Sequence, residues 1–391
     1  MINRLDLKNF KCFEELSLPF SPLTILTGFN AGGKSSIYQS LLLLAQSMRY
    51  NRRKPTTLIL NGDLVKLGSP GELIYNKAGK KEVVININKN HYGFETIIDL
   101  DNYEGILQIN RINFSKDNQA KKTIIQKEDQ HPFFSQFFQK DSIEFINLLS
   151  EVVYISAVRG GPLDVYPSPD DPYPINADVG IEGEYAPWWF YRQLDEEISE
   201  ERRHYSETAP TLRRQFNAWA DEMFPGAQAH VQQIDKTNLM RLQLRISDRD
   251  DWMRPANIGY GLSYAFPVLI AALLARQGQT LIIDSPEAHL HPLGQSNMGF
   301  FLSKMAAAGV QLIVETHSDH VLNGIRLALL EKAVKPEDVS FHFFTPSQIA
   351  EKQKTAQIIS PQVDQQGNLS EWPDGFFDQS EKDLSRLAGW G

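Results

Sequence analysis

Residues 28–35 run Gly-Phe-Asn-Ala-Gly-Gly-Lys-Ser. They satisfy the phosphate-loop pattern G-x-x-x-x-G-K-[ST] at every fixed position. The flanks fit as well. A short apolar, β-branched strand, Leu23 to Thr27, precedes the loop, and a Leu-, Gln- and Ala-rich helix runs from Ser36 to about Arg49. A phosphate chain needs backbone N–H groups converging on it, and glycines let the backbone come close. The expected cradle is Asn30, Ala31, Gly32, Gly33, Lys34, Ser35 and Ser36, with the helix N-terminus adding its free N–H groups and partial positive charge. Lys34 is placed to reach β- and γ-phosphates, and the Ser35 hydroxyl to bind Mg²⁺. ATP and Mg²⁺ are therefore the expected ligands.

The 391 residues suffice for one large domain or two ordinary ones. Net charge is −9, so the whole-chain field does not favour nucleic acid, although a local basic groove stays compatible with it. Cys12 is the only cysteine, which excludes an intrachain disulfide and a cysteine-rich zinc site and fits a reducing compartment. The N-terminus lacks the apolar core of a signal peptide, and the longest apolar stretch, Ala265 to Ala275, is too short to span a bilayer. A cytoplasmic protein without membrane partners is expected.

Further along, Val83–Ile87, Phe94–Leu100 and Ile106–Ile109 alternate as an antiparallel meander does. Phe133, Phe134, Phe137 and Phe138 have helical spacing and read as core. Residues 188–224 read as helical, with the charge cluster from Asp195 to Arg203 as a solvated face. From 280 onward, continuous apolar strands alternate with helices, the signature of a buried parallel sheet. One of these strands, Thr280 to Asp284, ends in an acid at the carboxyl edge, where α/β sheets bind ligands; Asp284 is the second candidate Mg²⁺ ligand. Another, Gln311 to Glu315, runs into Thr316-His317, and an imidazole there can sense a phosphate or orient water. Asn257, Gly259 and Ser263 open a helix and form a further candidate anion site.

The order of these motifs resembles the ABC-type ATPase heads of the SMC/RecF group, and more specifically the OLD-like AAA-family ATPases of prokaryotes. The residues that carry the resemblance are Asp284 through Pro292, Glu315 through Arg326, Leu5 through Phe13 and Leu60 through Gly68. Glu371 to Gln379 is similar to the C-terminal segment of one uncharacterised branch. The resemblance implies an α/β fold: an ABC-type P-loop ATPase head with a mostly parallel core sheet, an antiparallel β subdomain and a helical insertion. The expected layout is 1–74 for the first part of the head, 75–225 for strands and insertion, 226–345 for the second part and 346–391 for a tail packed on the head. It also implies ATP sandwiched between two protomers, hence a homodimer or higher oligomer, with Asn257, Gly259 and Ser263 reaching the partner's γ-phosphate. His317 matches the switch histidine.

One position departs from the pattern. Such ATPases place a glutamate directly after the strand aspartate, and here that residue is Ser285. Either Glu287 serves as the base, beside Lys34 and His317 as catalytic groups, or hydrolysis is slow and ATP acts as a clamp. OLD nucleases add a Toprim domain; the residues after Phe344 are too few for one and contain no Asp-x-Asp. The resemblance therefore implies a head that controls a separately encoded effector, a nuclease, in antiphage defence. The alternative is a DNA-repair or maintenance ATPase, for which Arg49, Arg52, Arg53 and Lys54 are candidate phosphate contacts. A metal cluster of His289, His291, His317, Asp319 and His320 is a third, weaker reading.

Overall fold

The computed structural model describes residues 1–50, 57–75, 81–100, 107–116, 119–125, 140–346, 349–350, 357–373, 375 and 379–388. Two compact units emerge. The first comprises Met1–Ser21 and Gly33–Val152; the second comprises Pro22–Gly32 and Val153–Gly391.

The first unit is built on an antiparallel sheet of order β2-β1-β4-β5-β6-β7. Its strands are β1 (Arg4–Phe10), β2 (Phe13–Pro19), β4 (Glu82–Lys89), β5 (Tyr92–Asp99), β6 (Ile109–Lys116) and β7 (Gln119–Ile125). Alternation sets the faces: Val83, Ile85 and Ile87 of β4 are buried while their neighbours are not. A two-residue turn, Asn90–His91, closes β4 onto β5, with Asn90 left-handed at φ 53°. Helix α1 (Lys34–Tyr50) buries Ile37, Leu41, Leu44 and Met48, and α2 (Lys140–Ser150) packs beside it. Phe145 of α2 stacks on Phe94 at 5.9 Å. The meander differs from the expected one at its end. The third strand starts at Ile109 rather than finishing there, and β7 adds a fourth. The four phenylalanines between 133 and 138 lie outside the described residues.

The second unit holds a sheet of order β15-β14-β3-β13-β12-β8. Strands β8 (Val153–Ile155), β12 (Thr280–Asp284), β13 (Gln311–Glu315), β3 (Leu23–Gly28) and β14 (Val339–Phe344) run parallel, and β15 (Ile358–Ile359) pairs antiparallel at one edge. The centres of β12 (Leu281–Ile283) and β13 (Leu312–Val314) are apolar on both faces because both faces of the sheet are covered. A smaller sheet, β10-β11-β9, joins β10 (Gln228–Gln233), β11 (Leu239–Arg245) and β9 (Tyr166–Pro167). The helices are α3 (Ala186–Arg192), α4 (Leu212–Met223), α5 (Tyr260–Leu274), α6 (Pro292–Ala307), α7 (Asp319–Leu330) and α8 (Gln379–Leu387). Phe190, Phe216 and Phe266 knit α3, α4 and α5 into this core with centroids 5.0–5.6 Å apart. Residues 153–225 thus share a core with the parallel sheet, and the boundary between units falls at 152/153 rather than at 225.

The stretch 188–224 is two helices, not one. Residues 193–211 form turns and a 3₁₀ segment, and the Asp195–Arg203 cluster is not a solvated helix face. Arg202 is buried there, and its Nη1 donates to the carbonyls of Leu273 (3.1 Å) and Ala275, capping the end of α5.

Candidate active site

The carboxyl ends of β3, β12, β13 and β14 emerge at one edge of the parallel sheet, and their register is fixed: Asp284 lies opposite Glu315, and Glu315 opposite Leu26. The phosphate loop leaves that edge from β3. Gly28 takes φ 117°, and a Cβ there would lie 2.3 Å from the Phe344 carbonyl oxygen, so only glycine fits. The Phe29 N–H donates to the same oxygen at 2.9 Å. Asn30 and Ala31 are exposed at the tip, with Ala31 left-handed at φ 60°. Two amides of the expected cradle are engaged internally: Gly32 N–H donates to Phe29 O and Ser36 N–H to Gly33 O. Within the first unit, Gly33 takes φ 103°, Lys34 opens α1 and is buried, and Ser35 is half-buried. The β1–β2 turn backs this helix start: Cys12 Sγ lies 3.7 Å from Ser36 Oγ, and Lys11 Nζ donates to Gln39 Oε1 at 2.5 Å.

At the β12 end, Ser285 is left-handed at φ 49°. Its N–H donates to Glu315 O at 2.8 Å, and its hydroxyl donates to Asp284 Oδ1 at 2.9 Å. The turn that follows carries Glu287 back towards β13. Glu287 Oε1 accepts the His317 backbone N–H at 3.0 Å, and the Thr316 hydroxyl also donates to the carboxylate. Its Oε2 is buried with no hydrogen-bond partner among the described residues. Burial pushes the Glu287 carboxyl above the usual range, opposed by those hydrogen bonds and by the charge of Arg159. Arg159 is 4% exposed. Its Nη2 donates to Asp284 O (2.9 Å) and Ser285 O (3.0 Å). Burial lowers its pKa to about 10, against the opposing charges of Glu287 and Asp284. The His317 side chain is exposed.

This donor set suits a magnesium nucleotide. The second unit offers a glycine at the start of the loop, a strand-end carboxylate of the hard-oxygen type Mg²⁺ prefers, and a buried carboxylate oxygen left unpaired among the described residues; the first, taken by itself, offers a helix N-terminus with Lys34 and the Ser35 hydroxyl.

Residues 23–323 match the family described as "AAA domain, putative AbiEii toxin, Type IV TA system". The chain belongs to this AAA family. Residues 334–387 also match a family described as a protein of unknown function, DUF3696. A 44-residue stretch is 43% identical to an OLD nuclease of Thermus scotoductus, covering 11% of this chain and 8% of that protein's length. Among solved structures, an Smc head bound to the C-terminal winged-helix domain of ScpA superposes with a TM-score of 0.53 at 13% identity, over 92% of this chain and 97% of that one. An Smc head with an extended coiled coil from Pyrococcus furiosus gives 0.49 at 12% identity, over 99% of both. The fold is that of an SMC-type ABC ATPase head.

In this AAA protein the helix start at 257–263 divides in two. Asn257, Gly259 and Tyr260 are exposed, and Gly259 (φ 98°) has open space where a Cβ would lie. Ser263, in contrast, is buried, and its hydroxyl has no partner among the described residues. The five residues of the metal-cluster reading do not gather: among the described residues no group of three His, Cys, Asp or Glu side chains is arranged to hold a metal. His289 instead packs on Tyr264 at 4.3 Å, and His291 stands at the N-cap position of α6 without a side-chain capping hydrogen bond. Of the basic cluster, Arg52, Arg53 and Lys54 lie outside the described residues. Arg49 is occupied, donating from Nε to Ser150 O at 2.9 Å and from Nη2 to Val152 O. No helix among the described residues is long and apolar enough to cross a membrane. Sequence reasoning missed the Thr316 hydroxyl and left Arg159 open between a contact to a nucleotide or its partner and a structural role. Its one signal was an arginine four residues beyond a buried strand.

Proposed function

We propose that this chain binds ATP with Mg²⁺ and hydrolyses it with Glu287 as the general base. The observation that carries this reading is the placement of Glu287. Its carboxylate is tied to the end of β13 through His317 N–H while its other oxygen is buried and unpaired, on the sheet edge from which the phosphate loop departs. A base with a raised pKa accepts a proton from water more readily near neutral pH. Lys34 neutralises the β- and γ-phosphates, and Asn30, Ala31, Gly32, Gly33 and Ser36 supply the wall of the phosphate cradle. Ser35 and Asp284 would hold Mg²⁺, which neutralises phosphate charge and orients the oxygens. The His317 ring, exposed beside the base, senses the γ-phosphate.

The exposed Asn257–Tyr260 start of α5, with open space at Gly259, suits a phosphate presented by a second copy, which favours an ATP-dependent homodimer. The similarity to an OLD nuclease supports a link to nucleic-acid cleavage, supplied here by a separately encoded effector in antiphage defence. Its proposed location is the cytoplasm. The alternative of a DNA-bound repair ATPase draws on the Smc-like fold and on Arg52, Arg53 and Lys54, which lie outside the described residues; Arg49 is engaged with carbonyl groups.

The test is steady-state ATP hydrolysis with Mg²⁺ by wild type, Lys34→Ala and Glu287→Gln. Expected are turnover in wild type only, nucleotide binding retained in Glu287→Gln, and binding lost in Lys34→Ala. Binding without turnover in wild type would convert the reading to a clamp. Co-expression with neighbouring gene products, read by size-exclusion chromatography, tests the effector; DNA-stimulated turnover that falls steeply with salt would favour the alternative.

A further inference from the structure

Arg159 does more than a structural arginine needs to. It stands in the loop after β8, beside β12 in the sheet, and is almost fully buried. One nitrogen, Nη2, bridges the carbonyls of Asp284 and Ser285 at 2.9 and 3.0 Å. Those carbonyls belong to a turn held in a left-handed conformation at a non-glycine residue, which stays only where its surroundings enforce it. The guanidinium carbon lies 5.9 Å from the Tyr264 ring, whose hydroxyl donates to the Arg159 carbonyl at 3.4 Å. Tyr264 lies on α5 and packs on His289, the last residue of the turn that holds Glu287. Arg159 therefore touches the turn after β12 and the helix whose exposed start carries Asn257 and Gly259.

The rest of its fork is unused. Nε and Nη1 are buried and have no partner among the described residues, and neither has Oε2 of Glu287. A buried cation and a buried carboxylate that act on each other electrostatically, each with hydrogen-bonding capacity in reserve, are a poor arrangement for stability alone. They are what a site holds ready for a reaction.

We propose that Arg159 is a positioning residue for phosphoryl transfer, clamping the Asp284–Ser285 turn from below and keeping Glu287 in place for the step that follows nucleotide binding. This rests on the reading of Glu287 as base.

Arg159→Lys and Arg159→Gln are compared with wild type in steady-state hydrolysis, alone and combined with Glu287→Gln, alongside titration of a fluorescent ATP analogue. Lysine keeps the charge but cannot bridge two carbonyls and retain a free fork. Expected is a kcat loss of about 100-fold for Arg159→Gln, the scale of a misplaced reacting group, with KM and nucleotide affinity within about threefold of wild type. Arg159→Lys recovers about tenfold of that loss, and Arg159→Gln adds less than about threefold on top of Glu287→Gln, because coupled residues are non-additive. If Arg159→Gln does not fold, Arg159→Lys decides: a kcat equal to wild type overturns the proposal. So does a full additive loss in the double variant, or a parallel fall of kcat and nucleotide affinity. Wild-type protein without turnover overturns this proposal together with the assignment of Glu287 as base. Wild-type turnover with an indifferent Arg159 overturns this proposal alone.

Discussion

Replacing Gly33 by alanine tests whether the start of α1 is held by the β1–β2 turn behind it. Gly33 sits at φ 103°, outside the regions an alanine adopts, and enforcing such a backbone costs about 1–3 kcal/mol. The added Cβ would lie 2.6 Å from Phe13 Cζ and 2.7 Å from Cys12 Sγ, well inside contact distance. Overpacking of that kind adds about 1–3 kcal/mol, offset by roughly 0.4–1 kcal/mol of lost unfolded-chain entropy. The expected destabilisation of Gly33→Ala is about 1–6 kcal/mol, read from urea unfolding followed by circular dichroism. If the loop rearranges locally instead, the unfolding midpoint moves little, and the same strain appears as a loss of nucleotide affinity of at least about tenfold. The steric share is separable. Adding Cys12→Ala and Phe13→Leu removes both clashing atoms and should return the overlap part while leaving the backbone part. A Gly33→Ala protein within 0.5 kcal/mol of wild type, with unchanged affinity for a fluorescent ATP analogue, would refute the reasoning.

Three further outcomes follow from the same structure. Glu287→Gln should lower kcat by about 10²–10³-fold with nucleotide still bound, whereas His317→Ala should cost less than about tenfold, because the hydrogen bond to Glu287 comes from the His317 backbone; equal losses would refute the distinction. Arg202→Ala leaves two carbonyls at the end of α5 without their cation and should destabilise by about 2–4 kcal/mol in urea, against less than about 1 kcal/mol for the exposed Arg213→Ala. Burial holds His204 below the ordinary histidine pKa in spite of Glu222. The unfolded chain therefore takes up the proton first: stability is complete above about pH 6.5 and falls as pH drops from there through the folded value. His204→Gln should flatten that slope, and an unchanged slope would discard His204 as its source.

The local sequence carried the parts of this protein that are local in cause. The strand, loop and helix around Gly28–Ser35 follow one another in the chain, and β12 and β13 declare themselves by apolar runs that end in Asp284 and Glu315. Elements that depend on distant partners were less legible. β7 reads Gln-Ala-Lys-Lys-Thr-Ile-Ile, too polar to announce itself, and is a strand because β6 offers it an edge. The chain between α3 and α4 reads as helix by charge pattern, yet Arg202 is drawn inward by the carbonyl end of a helix 71 residues downstream. At the site, residue spacing left open whether Glu287 replaces the glutamate missing at Ser285. What the structure adds is the turn between them, set by the Glu315 carbonyl and by Arg159. No periodicity encodes either contact.

That turn gives the departure at Ser285 a physical sense that can be tested. With the Ser285 N–H committed to Glu315 O, the side chain is directed onto Asp284 Oδ1, 2.9 Å away. A glutamate introduced there would begin beside another carboxylate, which disfavours its charged form, and in the left-handed backbone that Ser285 already occupies. Glu287, two residues on, escapes both problems: the turn brings it to the amide of His317, and its free oxygen stays in a buried, low-dielectric place. Restoring the usual residue should therefore fail. Ser285→Glu in a Glu287→Gln background should leave turnover within about threefold of Glu287→Gln alone, since a misplaced base contributes little. Recovery of tenfold or more would mean that the turn reshapes on nucleotide binding, and that position 285, not 287, is where this sheet edge places its base.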